Sequence, residues 1–310
     1  MTNWFQTEEC FSFYRSLGFI EPFRCLVERD GVEKGRMVGY IQKDGGRLKQ
    51  FFSRRAIING GPMLADDITE DELMGLLTKC KQELKKKAIY IETRNFDDYA
   101  RYKEIFSSAG FNYEPHYNFV IALTSEDEMF SAMSQNHRRS VKGALKNGAF
   151  VVDEPSASDI SAFYELLHNL YENKVKAPLF PESFFQKLNQ IGRVIVVKDE
   201  LQQVVGGIAM AVGKDVCYEW YVCGADERNK KIHPSTLATY AGMRYAVTHG
   251  FARFDFMGAG APNDGGYGVR DFKAKFGGQL VEHGRFKCVL NKPLYLVGTL
   301  GVKIIKRLKR

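Results

Sequence analysis

No run in this 310-residue sequence approaches the roughly 20 apolar residues needed to cross a bilayer. The opening residues, MTNWFQTEEC, lack a cationic stretch followed by an apolar one, so no secretory leader is read and a cytoplasmic protein is expected. Cysteines are few and scattered, at positions 10, 25, 80, 217, 223 and 288. Cys217 and Cys223 have no second ligand pair, which argues against zinc, and the thiols are expected to be small buried apolar groups. No metal and no bound organic cofactor is implied. Also missing is an aromatic-rich basic segment of the kind that stacks single-stranded nucleic acid.

What is present describes a globular protein. Hydrophobic residues make up 45% and charged residues 26% of the chain, and its length suits two domains, each with its own core. The net charge of +7 is gathered at Lys85–Lys87, Arg138–Lys146, Lys230–Lys231 and Lys303–Arg310. Such patches suit phosphate-bearing partners. The first of them also ends a helix, where cations meet the favourable end of the dipole.

The richest stretch runs from Ala252 to Leu290. ARFDFMGAG alternates like a buried strand, a glycine-rich link follows, and Phe272 and Phe276 lie one helical turn apart. Gly277–Gly278 then reads as a helix C-cap, and another strand closes the unit. The same order occurs earlier. Gly110, His116, Phe119 and Leu123 match Gly277, His283, Phe286 and Leu290 at one constant offset. Duplication of one α/β unit follows, with alternating helices and mixed sheets (α+β in the looser sense). The domains are expected at 1–147 and 148–293, with a basic helix at 294–310.

Ser125–Glu128 is a capping-box signature opening the helix that bridges the two copies. Further along that helix Arg138, Arg139, Lys142 and Lys146 form a cationic stripe, with Val141 and Leu145 facing the other way. The stripe reads either as a phosphate clamp or as the wet side of an amphipathic helix. Lys174 and Lys176, just before Ala177–Pro178, form a second cationic candidate.

Four segments together resemble the FemABX aminoacyltransferases: SQNHRRSVKGALKNGAFVV; YELLHNLYENK with PESFF; CGADERNKKIHPSTLATYAGMRYAVTHGFARFDFMGAG; and FKAKFGG. The resemblance covers residues 125 to 290. It implies two tandem domains of the GNAT acyltransferase fold, and transfer of an amino acid from aminoacyl-tRNA to the stem peptide of a nucleotide- or lipid-linked peptidoglycan precursor. It also maps the family's lysine onto Lys273 and its tyrosine-rich strand onto Tyr218–Gly224, which brings in Trp220 and Tyr221. Val222–Cys223 and Ile232–His233–Pro234 depart from the family's pattern.

Transfer from an ester requires a neutral amine, a stabilised oxyanion and a proton for the leaving hydroxyl. Lys273 is the candidate for the oxyanion, a contribution of about 3–4 kcal/mol in a dry site. Asp255, between Phe254 and Phe256 on the strand, is the second catalytic candidate. Proton transfer through the tRNA ribose would need no protein base. Tyr267 and Arg270 flank the link and suit an acceptor's phosphate or carboxylate. An acyl-CoA N-acyltransferase is the main alternative, but the expected pyrophosphate loop, Asp226–Ser235, has no glycine and includes Pro234, which has no N–H. A duplicated fold that has become a non-catalytic binding module is the third.

Residues 294–310 pattern as an amphipathic helix, with Leu294, Val297, Gly301, Ile304, Ile305 and Leu308 on one side and Lys303, Lys306, Arg307, Lys309 and Arg310 on the other. Two arrangements stay open. The helix lies on the inner face of an anionic membrane, or it packs its apolar side back onto a domain.

Overall fold

The computed structural model describes residues 3–43, 46–264 and 268–308, with side chains throughout except at 47–49 and 302–308. It divides into two compact units, 1–116 with 282–310, and 117–281. The division expected at residue 147/148 is therefore corrected, and the expected separate tail belongs to the first unit.

In the first unit the chain runs α1 (Glu8–Ser16), β1 (Glu21–Arg29), β2 (Val32–Gln42), α2 (Arg47–Ser53), β3 (Arg55–Gly60), β4 (Met63–Leu64), α3 (Glu70–Leu84), β5 (Tyr90–Asn95), α4 (Lys103–Ser108) and β6 (Asn112–Glu114). The second unit follows with β7 (Tyr117–Ala122), α5 (Glu126–Ala132), α6 (Gln135–Lys146), β8 (Phe150–Val152), α7 (Ala157–Leu170), α8 (Glu182–Ile191), β9 (Arg193–Lys198), β10 (Val204–Val212), β11 (Val216–Gly224), α9 (Pro234–Thr248), β12 (Arg253–Asp255), α10 (Gly268–Ala274) and β13 (Gln279–Glu282). The last two elements, β14 (Arg285–Val289) and α11 (Lys292–Leu308), return to the first.

The duplication is plain in this order. α3, β5, α4, β6 and β7 recur as α9, β12, α10, β13 and β14. The matched glycines do the same work in each copy. Gly110 and Gly277, at φ 84° and 86°, end their helices in the left-handed region that glycine enters without a Cβ penalty.

The first sheet takes one strand, β14, from the far end of the chain, whereas the second is built from one continuous stretch. The first is ordered β1-β2-β3-β5-β14-β6, with β4 beside β2, and the second β13-β7-β12-β11-β10-β9-β8. β14 pairs antiparallel with both β5 and β6. β7 occupies the equivalent place between β12 and β13. A one-residue slip would turn each strand's apolar face outward. The matched phenylalanines hold the register: Phe286 stacks on Phe106 at 4.0 Å in the first core, and Phe119 is buried in the second.

The bridging helix expected from Ser125 onward is broken. α5 stops at Ala132, and Ser134 caps a new helix by accepting from His137 N. The guanidinium of Arg138 closes the break by donating to the carbonyls of Ser131 and Met133. Val141 is buried as expected, but Leu145 is 49% exposed, so the apolar stripe is narrower than the sequence suggested.

Truncating a fully buried Phe costs about 3–5 kcal/mol. Phe286→Ala is therefore expected to destabilise the first unit by that amount. In limited proteolysis, cuts should then appear within residues 8–114 before they appear within 117–281. The reverse order would mean β14 does not hold the first sheet together.

Candidate active site

The parallel pairs at the two sheet centres differ. In the first unit β3 and β5 stay paired from Arg55–Tyr90 to Gly60–Asn95. In the second the pairing of β11 with β12 starts at Val216–Arg253 and ends at Tyr218–Asp255, while β11 runs on to Gly224. Beyond Tyr218 the sheet is open on that side, and the candidate site residues gather at this opening.

A bulge in β11 decides which way they face. Against β10, Glu219 opposes Met210 and Tyr221 opposes Ala209, so Trp220 is the extra residue. Two residues opposite one disrupt the alternation and re-aim side chains. Trp220 and Tyr221 consequently lie parallel, 6° apart, against Phe184 of α8, with Tyr171 beside Tyr221. This places together aromatic rings that are far apart in sequence. Glu219 reaches α9 instead, where its carboxylate accepts from the Thr239 hydroxyl at 3.3 Å.

Lys273, on α10, is only 9% exposed. Its ammonium donates to Phe256 O at 2.7 Å and Gly258 O at 3.0 Å, and lies 3.3 Å from Glu219 Oε1. The contact with Glu219 is a close ion pair without hydrogen-bond alignment, since Oε1 has no aligned donor. Burial raises the Glu219 pKa, and the Lys273 charge only partly offsets this.

Asp255 lies at the end of β12, 3% exposed. Its Oδ1 accepts from Asn118 Nδ2 at 2.8 Å and from Met257 N at 2.6 Å. Asn118, on β7, returns its own oxygen to Phe119 N and Gly258 N. The network holds Met257 in the left-handed region at φ 56°, a strain of about 1–2 kcal/mol. Burial pushes the Asp255 pKa up to about 6, against the lowering pull of the Asn118 and Met257 donors.

The start of α9 is filled from within the chain. Asp226 accepts from Ser235 N at 3.3 Å and from the Ser235 hydroxyl. Pro234 has no N–H to offer, and Leu237 N is taken by His233 O. Gly224 lets the end of β11 approach this turn, since a Cβ there would lie 2.3 Å from Ser235 N. In the first unit Thr69 and Glu72 close the start of α3 with a capping box.

The other expected site residues are scattered. Arg270 donates to the carbonyls of Ala259 and Ala261 and lies over the Tyr117 ring at 4.9 Å, bracing the loop after β12. Arg138 holds the α5–α6 break, Lys142 lies 5.5 Å from the Phe130 ring, and Arg139 sits on the same helix, α6. Lys174 forms an exposed ion pair with Glu227. Tyr267 lies outside the described residues. Sequence reasoning missed Glu219, Asn118, Thr239 and Asp226. Glu219 had a signal, as the one acid within the apolar strand VCYEWYVCG. His137, also missed, packs edge-on against Phe276 at 4.5 Å. Burial, helped by the Lys275 and His233 charges, lowers its pKa to about 4, which keeps it neutral at pH 7.

Residues 131–274 match the family described as acetyltransferase (GNAT) domain. Among solved structures, FemX superposes with a TM-score of 0.70 at 18% identity, over 95% of this chain and 94% of that one. L-PGS from Bacillus licheniformis gives 0.60 at 14%, over 94% and 91%. A tandem GNAT protein from the clavulanic acid biosynthesis pathway gives 0.53 at 11%, over 89% and 86%. No curated protein gives a significant match. The resemblance to the FemABX enzymes that the sequence segments carried holds at the level of the fold: two tandem GNAT-like domains.

Two outcomes follow from this geometry. Asp255, with a pKa raised from the usual carboxylate value of about 4 to about 6, stabilises the fold most below pH ~4. That contribution is lost as pH rises through 6, a change of about 2–3 kcal/mol. Asn at this position keeps the Oδ1 acceptor, so Asp255→Asn should fold and unfolding titrations between pH 4 and 7 should show a flatter stability curve. An unchanged curve would mean Asp255 titrates normally. Separately, Lys273→Ala leaves Glu219 buried and unpaired, at a cost of about 3–5 kcal/mol. Adding Glu219→Gln should recover at least ~1 kcal/mol, and strictly additive losses in denaturant unfolding would rule out the coupling.

Proposed function

We propose that this tandem GNAT-fold protein is an aminoacyltransferase. It moves an aminoacyl group from aminoacyl-tRNA to an amine on the stem peptide of a nucleotide- or lipid-linked peptidoglycan precursor, on the cytoplasmic side of the membrane. The resemblance to the FemABX segments and the likeness in fold to FemX support the reaction class. One observation carries the choice of donor: the Asp226 carboxylate sits on the Ser235 amide at the start of α9. A CoA-dependent GNAT enzyme cradles pyrophosphate on free amides at that place. Here a fixed negative charge already holds the amide, and a second anion would be repelled.

The chemistry follows from the opening beside β11. An incoming amine attacks the ester carbonyl, the C–N bond forms, and the C–O bond to the ribose breaks. Lys273 is the group that meets the developing oxyanion. Two of its protons are held by Phe256 O and Gly258 O, so the third, near Glu219 without hydrogen-bond alignment, is the one left to donate. Asp255, with its pKa raised to about 6, takes up the proton released by the attacking amine and returns it to the leaving ribose oxygen, or the neighbouring ribose hydroxyl relays that proton to the leaving oxygen directly. Trp220, Tyr221, Arg138, Arg139, Lys142, Lys174, Arg270 and Tyr267 remain the binding candidates. The aromatic pair is the best placed of these, because the bulge turns both rings to one side.

The test offers labelled aminoacyl-tRNA or labelled acetyl-CoA against nucleotide-linked and lipid-linked stem peptides. Label is expected to leave the tRNA and appear on the peptide. Lys273→Ala should lower kcat about 100- to 1000-fold, measured below the variant's own unfolding transition so that lost stability is not read as lost catalysis. Transfer from acetyl-CoA alone would overturn the reading. Absence of transfer from either donor, with the protein folded, would favour the binding module.

A further inference from the structure

The last helix presents an arrangement the fold does not use. α11 packs beside α2 through Gly298, where an added Cβ would lie 3.1 Å from Phe52 O. On its outer side Leu296, Val297 and Leu300 are 60%, 53% and 57% exposed. These positions, at i, i+1 and i+4, share one helical face. Of the apolar side expected from the sequence, Leu294 is half-buried and Val297 is exposed, and Leu296 and Leu300, which lie outside that side, add to the exposed apolar surface.

Charge singles out the same helix. Lys292, Lys303, Lys306, Arg307, Lys309 and Arg310 account for six of the chain's net +7, and no acid occurs between Asn291 and the end. Three kinds of partner could cover an exposed apolar face on such a helix. A second copy would bring two clusters of six cations together, which repel. A nucleic acid would satisfy the cations but leave the leucines wet. An anionic bilayer satisfies both, with apolar side chains at the acyl boundary and lysines among the phosphates. Spanning the bilayer is excluded, since no helix among the described residues is long and apolar enough to cross a membrane.

We propose that α11 is a membrane-surface anchor, which docks the protein on anionic phospholipid by inserting Leu296, Val297 and Leu300 while the terminal cations engage lipid phosphates. The anchor acts independently of the transfer reaction. It would hold the enzyme where a lipid-linked acceptor is concentrated.

The experiment is co-sedimentation of the full chain with vesicles rich in phosphatidylglycerol and with vesicles of phosphatidylcholine alone. Two variants run alongside: Leu296→Gln with Val297→Thr and Leu300→Gln, and Lys303→Gln with Lys306→Gln and Arg307→Gln. Thermal unfolding confirms that each is folded. The natural sequence should bind the anionic vesicles, weaken with added salt, and bind neutral vesicles far less. The apolar variant should lose about tenfold in affinity and the charge variant about 100-fold. Failure of the natural sequence to bind anionic vesicles would overturn the proposal, as would full binding by the apolar variant. Sedimentation velocity showing a dimer that the apolar variant dissolves, with no vesicle binding, would assign the face to a second copy. Binding to tRNA that the apolar variant retains, with no vesicle binding, would assign the cations to nucleic acid. Transfer to a nucleotide-linked acceptor, measured in the same variants, should stay unchanged, so a failure of the anchor is distinguishable from a failure of the catalytic reading.

Discussion

The second unit depends on one buried ammonium. Lys273 ties the carbonyls that follow β12 to the acid on β11, across the gap where those strands stop pairing. An open parallel sheet leaves backbone acceptors and a carboxylate facing inward, and each would be costly if unsatisfied. A single cation satisfies the two carbonyls by hydrogen bonds and offsets the carboxylate by charge alone, while the gap stays open. Lys273, Glu219 and Asp255 are buried as a result, and burial raises the value of any charge placed there.

The asymmetry of the duplication is tied to this arrangement. The copies share element order and the glycines that end α4 and α10, yet only the second unit opens its central parallel pair. In the first unit β3 and β5 stay paired along their length, and charge on the strand face is neutralised sideways. There Glu92, its pKa lowered to about 2, is surrounded by Arg94, Arg285 and Lys287. Burial alone would raise that pKa, so the three cations outweigh desolvation. Two copies of one scaffold have thus settled their buried charges differently, one by closing the sheet and one by bridging a gap.

Several features were legible in the sequence. The duplicated order and the strand–loop–helix unit around Lys273 follow from glycine placement, alternation and helical spacing, and the GNAT fold class was implied by the resemblance of four segments to the FemABX enzymes. The poor phosphate loop at Asp226–Ser235 was legible as a lack of glycine, and the structure adds that Asp226 itself fills the place. Other features were not legible. That Arg138 and Arg270, read as ligand candidates because a guanidinium suits phosphate, also brace the backbone was not visible. Both meet backbone carbonyls left exposed by a helix break and by an irregular loop, and neither break can be counted from spacing alone. Glu219 was overlooked because its partner lies on a helix 54 positions further along the chain.

The sequence by itself determined which segments become strands and helices, and that they occur twice, because those patterns rest on local periodicity and on glycines that alone tolerate the required backbone. It also concentrated the positive charge at the C-terminal end. Only the tertiary structure decided which sheet each closing strand joins. β7 and β14 carry the same pattern, so either could complete either sheet as far as periodicity is concerned. The choice is made by non-local packing, with Phe286 stacked on Phe106 and Asn118 bonded to Asp255. The domain boundary could not be read for the same reason. It lies where the chain changes partners, and partners are a property of the folded core.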